Sequence, residues 1–283
     1  MRSQWECLLQ NLGCWQGSFT RLSNRGEILE EISSETSLKL KEDNQTLRQV
    51  VRRFYKDAPQ DLVLEYRTLN KSTTFFENGA FSQGSLQFAP FTEFGAELGL
   101  IYGDRRVRLV TLYEKANQDK ANQLDRFTLI REHLPNSTTP ERPPLTLDDL
   151  LGKWEGEATT LSSDWLVPEV SSTTTEWQRD GDRVIMSLQM QNPMGKQTIT
   201  SLAKIDSSNP QILHFDQDNL SVQTLFLPDG TSFTCPKAIA TRQPFRLSLS
   251  WLLNPNLHQR MIRAYDHKGG WNSLTLVTER KVM

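Results

Sequence analysis

The chain has 283 residues, which at roughly 150 residues per domain predicts about two domains. Its 32 lysines and arginines against 34 aspartates and glutamates leave a net charge of −2, without the cationic excess that nucleic acid or an anionic membrane surface requires of a main partner. Only 37% of residues are hydrophobic, yet 7 Trp and 13 Phe are present, a balance that favours a folded chain of elements wetted on one face, as in antiparallel sheets and small barrels.

The N-terminus, Met1-Arg2-Ser3-Gln4-Trp5-Glu6, carries one basic residue and no apolar run, so no signal peptide is expected. Trp5, Leu8, Leu9 and Leu12 follow helical spacing, and Ser3-x-x-Glu6 can cap that short helix. Leu12-Gly13-Cys14-Trp15-Gln16-Gly17 then opens a region of period two. Ser37-Leu38-Lys39-Leu40-Lys41 alternates, Glu42-Asp43-Asn44 turns, Thr46 to Tyr55 returns, and Leu62, Leu64 and Tyr66 share a further strand face. Phe75 to Gly99 is rich in glycine and phenylalanine, Arg105, Arg106 and Arg108 enter one strand, and Leu124 to Glu132 closes the half. Leu134 to Pro144 is polar, contains four prolines and reads as a linker.

The pattern then repeats. Thr146-x-x-Asp149 caps a helix bearing Leu147, Leu150 and Leu151, and Leu151-Gly152-Lys153-Trp154-Glu155-Gly156 returns the opening motif, with Trp154 standing 139 residues after Trp15. Val184, Met186, Leu188 and Met190 alternate with polar residues, as do Phe245, Leu247, Leu249 and Trp251. Trp271 to Arg280 parallels Leu124 to Glu132, with Ile130-Arg131-Glu132 aligning on Val277-Thr278-Glu279. Short strands at roughly 8–12-residue spacing predict an all-β sandwich or barrel in each half, and because closure removes exposed edges the reading is two tandem antiparallel up-and-down barrels, residues 1–139 and 140–283, each opened by a short helix that plugs one end. No stretch of about 18 apolar residues exists, so no membrane span is expected. Three cysteines, Cys7, Cys14 and Cys235, form no C-x-x-C pair and suit a reducing, cytoplasmic compartment.

Gly13-x-Trp15 and Gly152-x-Trp154 resemble the first-strand motif of lipocalins. That resemblance implies a basic residue of the last strand lying across each indole, at Arg131 and Arg280. The alignment puts Thr278 opposite Arg131, which leaves Arg280 two residues on and one pleat away. Phe75-Phe76-Glu77-Asn78-Gly79-Ala80-Phe81, Phe94-Gly95-Ala96-Glu97-Leu98-Gly99 and Asp104-Arg105-Arg106-Val107-Arg108 are similar to a cyanobacterial and chloroplast family, domain-of-unknown-function family 3598, of the calycin superfamily. The resemblance implies two tandem lipocalin-like barrels.

Catalytic motifs are missing from the sequence: no G-x-G-x-x-G, phosphate loop, G-x-S-x-G or H-E-x-x-H occurs, and His133, His214, His258 and His267 have no metal-ligand spacing. No cofactor or metal is expected, and enzymatic activity is left open but disfavoured. For ligand binding the candidates are Phe76, Glu77, Phe81 and Glu97, where glycines would admit a flat molecule, with Arg106 and Arg108 beside them. The alternative is a packed aromatic core with corner glycines and a solvent-facing Glu97. Arg263-x-Tyr265 shares one strand face with Met261 and could hold a carboxylate, as Arg-x-Tyr does in fatty-acid-binding proteins, or could be a basic strand edge. Met186, Met190, Met194 and Met261, with Trp177, Trp251 and Trp271, would line a second lumen or fill a core. The reading favoured is an intracellular binding protein for a hydrophobic or amphipathic small molecule such as a fatty acid, carotenoid-like lipid or tetrapyrrole. Its rivals are a bilin lyase or chromophore chaperone for a phycobiliprotein, using Glu97, Arg106 and Arg108, and a structural double barrel presenting a surface to an unidentified protein partner.

Overall fold

In the computed structural model, which describes residues 2–116, 121–163, 167–193, 195–217 and 220–282, the protein is all-β apart from two short helices. Met194 lies outside the described residues. The opening helix α1 (Gln4–Leu8) runs into a 3-10 turn at Leu9–Asn11, and α2 (Leu147–Leu150) opens the second half. Both start as the sequence predicts. The Glu6 carboxylate accepts from the Ser3 backbone at 2.7 Å while Glu6 N–H donates to Ser3 Oγ, and the Asp149 carboxylate accepts from the Thr146 backbone at 2.9 Å.

The first half supplies strands β1 (Gly13–Ser23), β2 (Ile28–Leu40), β3 (Leu47–Phe54), β4 (Pro59–Tyr66), β5 (Thr73–Phe75), β6 (Phe81–Gly84), β7 (Phe94–Tyr102), β8 (Arg105–Glu114) and β9 (Asn122–His133). They run in the order β4-β3-β2-β1-β9-β8-β7-β6-β5 as one curled antiparallel sheet. Its two ends do not pair with each other among the described residues. Two sequence features account for that: β5 and β6 are only three and four residues long, and β4 is exposed along nearly its whole length. Between them residues 67–72 lie over the concave face rather than continuing the ladder.

The second half supplies β10 (Gly152–Ser162), β11 (Glu169–Asp180), β12 (Arg183–Asn192), β13 (Gly195–Ile205), β14 (Ile212–Gln217), β15 (Leu220–Leu227), β16 (Thr231–Pro236), β17 (Ala238–Ile239), β18 (Phe245–Asn254), β19 (Leu257–Tyr265) and β20 (Trp271–Lys281). Ten of these, all but β17, close into a barrel with each strand beside its chain neighbour and β20 paired back to β10. Closure leaves no free edge. By compactness the chain divides into one unit of Met1–Leu86, Gly95–Leu112 and Asp125–Pro140, and another of Gln87–Phe94, Tyr113–Leu124 and Glu141–Met283. In the latter, Phe88 and Phe94 join Tyr113, Phe245 and Tyr265 in an aromatic cluster, with Phe245 and Tyr265 stacked at 4.6 Å. Tyr113 donates to the Pro236 carbonyl at 2.7 Å, and β17 pairs with Asn122 and Gln123.

The two Trp motifs are built alike. Trp15 donates its indole N–H to the Asn11 carbonyl at 2.9 Å, and Trp154 to the Leu150 carbonyl at 2.8 Å, so each indole is tied to its helix and is 1% exposed. Gly13 and Gly152 adopt φ of +141° and +102°, a region closed to most side chains, and so turn the chain from helix to strand. No helix of the described residues is long and apolar enough to cross a membrane.

Candidate functional site

Each half encloses a cavity of about 480 Å3, within the roughly 300–1,000 Å3 common for small-molecule pockets. The cavity of the first unit lies on the concave face of the curled sheet. Leu8 and Asn11 from the helix end bound it, with Phe75 and Phe81 stacked at 5.2 Å on one side and Glu97, Arg106 and Arg108 on another.

These charges are organised by one buried acid. Glu132, on β9 and 1% exposed, accepts from Arg106 Nε at 2.8 Å and from Arg108 Nε and Nη2 at 3.0 Å each. Arg108 Nη1 donates to Glu97 at 2.7 Å, and Arg106 Nη1 to Asn11 at 3.1 Å. Burial opposes the charge on Glu132, but the two guanidinium groups outweigh it and hold the carboxyl at about 2. Burial likewise works against the charge on both arginines. In Arg106 burial prevails and lowers its pKa, whereas in Arg108 the two carboxylates outweigh it and raise it.

The structure therefore brings Phe81, Glu97, Arg106 and Arg108 to one cavity. Phe76 is buried outside the lining, and Glu77 is exposed, its backbone carbonyl held by Arg2 at 2.8 Å. The glycines make room for protein atoms rather than for a flat ligand: a Cβ on Gly99 would stand 2.5 Å from the Phe81 ring. Glu132 was not singled out by the sequence, although its alignment with Glu279 was a visible signal.

The basic residues across the indoles need correction. Arg106, from β8, lies over Trp15 at 4.5 Å, whereas Arg131 donates to Ser18 and Thr20 at 3.1 Å and pairs with Glu31. Lys281 lies over Trp154 at 5.2 Å, and Arg280 is exposed. Strand alternation explains the second case, because Arg280 and Lys281 point to opposite faces.

The cavity of the closed barrel is lined by the apolar Leu150, Trp177, Met186, Leu188, Phe215 and Val222 and by polar residues, both of the β18–β19 hairpin and of β13, β15 and β16, where Ser201, Thr224, Ser232 and Thr234 stand. Inward on β19 are His258, Arg260, Ile262 and Ala264, so Met261 and Arg263 face away. Arg263 is fully buried, donates Nε to the Tyr265 hydroxyl at 2.7 Å and lies over Trp271 at 4.9 Å. The predicted pair is thus formed, but only Tyr265 reaches the cavity, where an irregularity between Ala264 and Tyr265 breaks the alternation. Of the methionines and tryptophans expected in this lumen, Met186 and Trp177 line it, and Met190, Trp251, Met261 and Trp271 do not.

Glu279, 1% exposed, occupies in this barrel the place of Glu132. It accepts from Thr175 and lies 3.8 Å from His258 Nδ1. Burial opposes its charge, but His258 and Arg260 outweigh that and hold it at about 2. Burial pushes the His258 pKa down, with Glu279 acting against it.

Comparison with known proteins places the chain by family. Residues 1–137 match the N-terminal domain model of the domain of unknown function DUF3598, and residues 141–282 match the C-terminal domain model of biogenesis factor required for ATP synthase 1. A crystal structure of a DUF3598 protein with unknown function from Nostoc punctiforme is 45% identical, with all of each chain covered and a TM-score of 0.90. The chain belongs to the DUF3598 family. An S-type phycobiliprotein lyase from Guillardia theta is 12% identical over 48% of this chain and 90% of its own, with a TM-score of 0.41. Transferrin binding protein B from Haemophilus parasuis is 8% identical over 95% of this chain and 76% of its own, with a TM-score of 0.28, and neither likeness is close enough to carry an argument. No curated protein matches the chain.

Proposed function

We propose that this protein binds a hydrophobic or amphipathic small molecule inside the closed barrel. The observation that carries the reading is the cavity of about 480 Å3, whose wall joins Trp177, Met186, Leu188, Phe215 and Val222 to polar groups that include the buried His258 and Arg260. Apolar walls with sparse, placed polar groups are what ligand sites present. Methionine and aromatic side chains adapt to a molecule of irregular outline. A cytoplasmic location belongs to the same proposal.

Native mass spectrometry of the protein purified from its own host, alongside titration with an environment-sensitive apolar dye, tests the reading. A retained small molecule, or saturable dye uptake abolished by a bulky substitution such as Ala264→Trp, is expected. A ligand-free mass together with no dye uptake would end the proposal. Tetrapyrrole delivery to a phycobiliprotein is a separate case, resting on Glu97, Arg106 and Arg108 in the cavity of the first unit. That case requires phycocyanobilin to give a saturable, red-shifted spectrum.

A second reading is favoured by the match of residues 141–282 to the C-terminal domain of a biogenesis factor required for ATP synthase. In it the chain is an assembly factor that engages a protein partner. Stoichiometric co-elution with purified ATP synthase subunits supports that reading, and separate elution at micromolar concentration excludes it.

A further inference from the structure

Inside the closed barrel one charged side chain stands without a bonding partner. Arg260 is 8% exposed and lines the cavity, yet its Nε and Nη2 have no hydrogen-bond partner, and no carboxylate of the described residues lies within ion-pair distance. Buried guanidinium groups are ordinarily paired, because their donors lose water on burial and need an acceptor in exchange. His258 Nε2 and Ser248 Oγ, which line the same cavity, are also buried without a partner. Ser250 lies directly opposite Arg260 in the ladder. Unpartnered polar atoms thus collect on the β18–β19 hairpin.

The first unit shows what such an arginine does when it has an acid. Arg106 and His258 hold matching places, each beside its motif tryptophan, at 4.5 and 5.7 Å, and beside the buried glutamate. Arg108 and Arg260 follow two residues later on the same strand face. Arg108 grips Glu132 through its Nε and Nη2 edge, and Arg52 grips Asp61 with that same edge at 2.7 Å for both bonds. This is the edge left unpartnered in Arg260. The counterpart acid, Glu279, turns its two oxygens to Thr175 and His258 instead, and β18, which reads Phe-Arg-Leu-Ser-Leu-Ser-Trp-Leu-Leu-Asn, offers serines where β7 carries Glu97.

We propose that the closed barrel binds a monocarboxylate with an apolar body, its carboxylate gripped by the Nε and Nη2 edge of Arg260 and its body laid against Trp177, Met186, Leu188 and Phe215. The proposal rests on the small-molecule reading above and assigns the ligand's head group. A planar, bidentate acceptor suits that edge. Of the two arginines in the lining, Arg246 is exposed and only Arg260 is buried, and with the Glu279 carboxylate nearby this disfavours a phosphomonoester, whose charge of roughly −1.5 to −2 would be left largely uncompensated. Ser248 and Ser250 line the cavity beside it and can donate their hydroxyls to the head group.

The test compares oleate with oleyl alcohol as competitors of an apolar dye, in the full-length protein and in the Arg260→Met and Arg260→Lys variants. Oleate should compete at least about tenfold better than the alcohol, and Arg260→Met should remove that preference by weakening oleate about tenfold relative to the alcohol. Arg260→Lys, which keeps the charge but not the fork, should fall between them. The acid-over-alcohol preference is read on the unmodified protein, so it stands even if a variant does not fold. Equal competition by acid and alcohol overturns the carboxylate site and leaves the binding reading intact. An acid preference that survives Arg260→Met overturns the assignment to Arg260. Failure of the dye and both competitors to enter removes the binding reading itself.

Discussion

Glu132 and Glu279 occupy one structural position in two copies. Each lies opposite the second glycine of its Trp motif, Gly17 with Glu132 and Gly156 with Glu279, and each is 1% exposed. A Cβ on Gly17 would sit 1.8 Å from the Arg131 carbonyl oxygen, and one on Gly156 2.0 Å from that of Thr278. The obstacle in both cases is backbone, which cannot swing aside as a side chain can. Gly17→Ala and Gly156→Ala should therefore each destabilise their unit by about 3 kcal/mol or more through strain and lost pairing at the Trp motif. Gly181→Ala, in a turn with nothing within 4 Å, should cost only about 1 kcal/mol, from its φ of +60°. Urea titrations of the three variants check the ordering, and equal losses would contradict it.

The Glu132 carboxylate compensates two buried arginines at once. Glu132→Gln leaves Arg106 and Arg108 with Glu97 as their only acid among the contacts described, so the loss should reach about 3–5 kcal/mol, as expected when one partner of a buried charge network is removed. Combining it with Arg106→Met should restore part of that loss, because the uncompensated charge disappears with its acid. A double-mutant cycle by chemical denaturation measures this, and strictly additive losses would argue against coupling.

Much of this architecture was legible in the sequence. The paired helix caps, the Gly-x-Trp motifs and the alignment of Ile130-Arg131-Glu132 on Val277-Thr278-Glu279 depend on local pattern, and β1 and β10 pair with their last strands in that register. Contacts set by distant strands were not legible. Trp15 takes its cation from Arg106, 91 residues away, because β8 and not β9 brings a guanidinium over the ring. Arg263-x-Tyr265 has the right spacing but the wrong parity, and only strand registration tells which alternate face is the lumen. Arg260 became informative through the acid missing opposite it, which a motif search does not register.

The stack on Trp154 separates two neighbouring residues. Lys281 Nζ lies 5.2 Å from the indole and also donates to the Asp149 carbonyl at 3.2 Å, whereas Arg280 is exposed on the other strand face. Lys281→Ala should lower stability by about 0.5–1 kcal/mol and shift the Trp154 emission, while Arg280→Ala should do neither within error. Thermal melts followed by tryptophan fluorescence decide it, and a larger effect at Arg280 would return the stacking role to that position.

His258 sets a pH dependence whose sign follows from its burial. Desolvation lowers its folded pKa below the ordinary 6.5, against the pull of Glu279, so the folded barrel holds the imidazole neutral where the unfolded chain would take up a proton. As pH falls below 6.5 the unfolded state binds more protons at this position, and stability declines until the folded imidazole also protonates. Glu279 acts lower on the scale. Its carboxyl is held at about 2 against an ordinary 4.5, so its contribution is complete above 4.5 and is lost as pH falls from there towards 2. Wild type should therefore lose stability in two stages, one beginning near 6.5 and one below 4.5. His258→Gln removes the titrating imidazole and should flatten the first stage alone, whereas Glu279→Gln should shrink the second, to which Glu132 also contributes, and lower stability at neutral pH, because it also takes the acid from the neighbourhood of Arg260. Urea midpoints between pH 3 and 8 report both stages, and a His258→Gln profile parallel to wild type across pH 5 to 6.5 would show that this histidine is not held neutral in the fold.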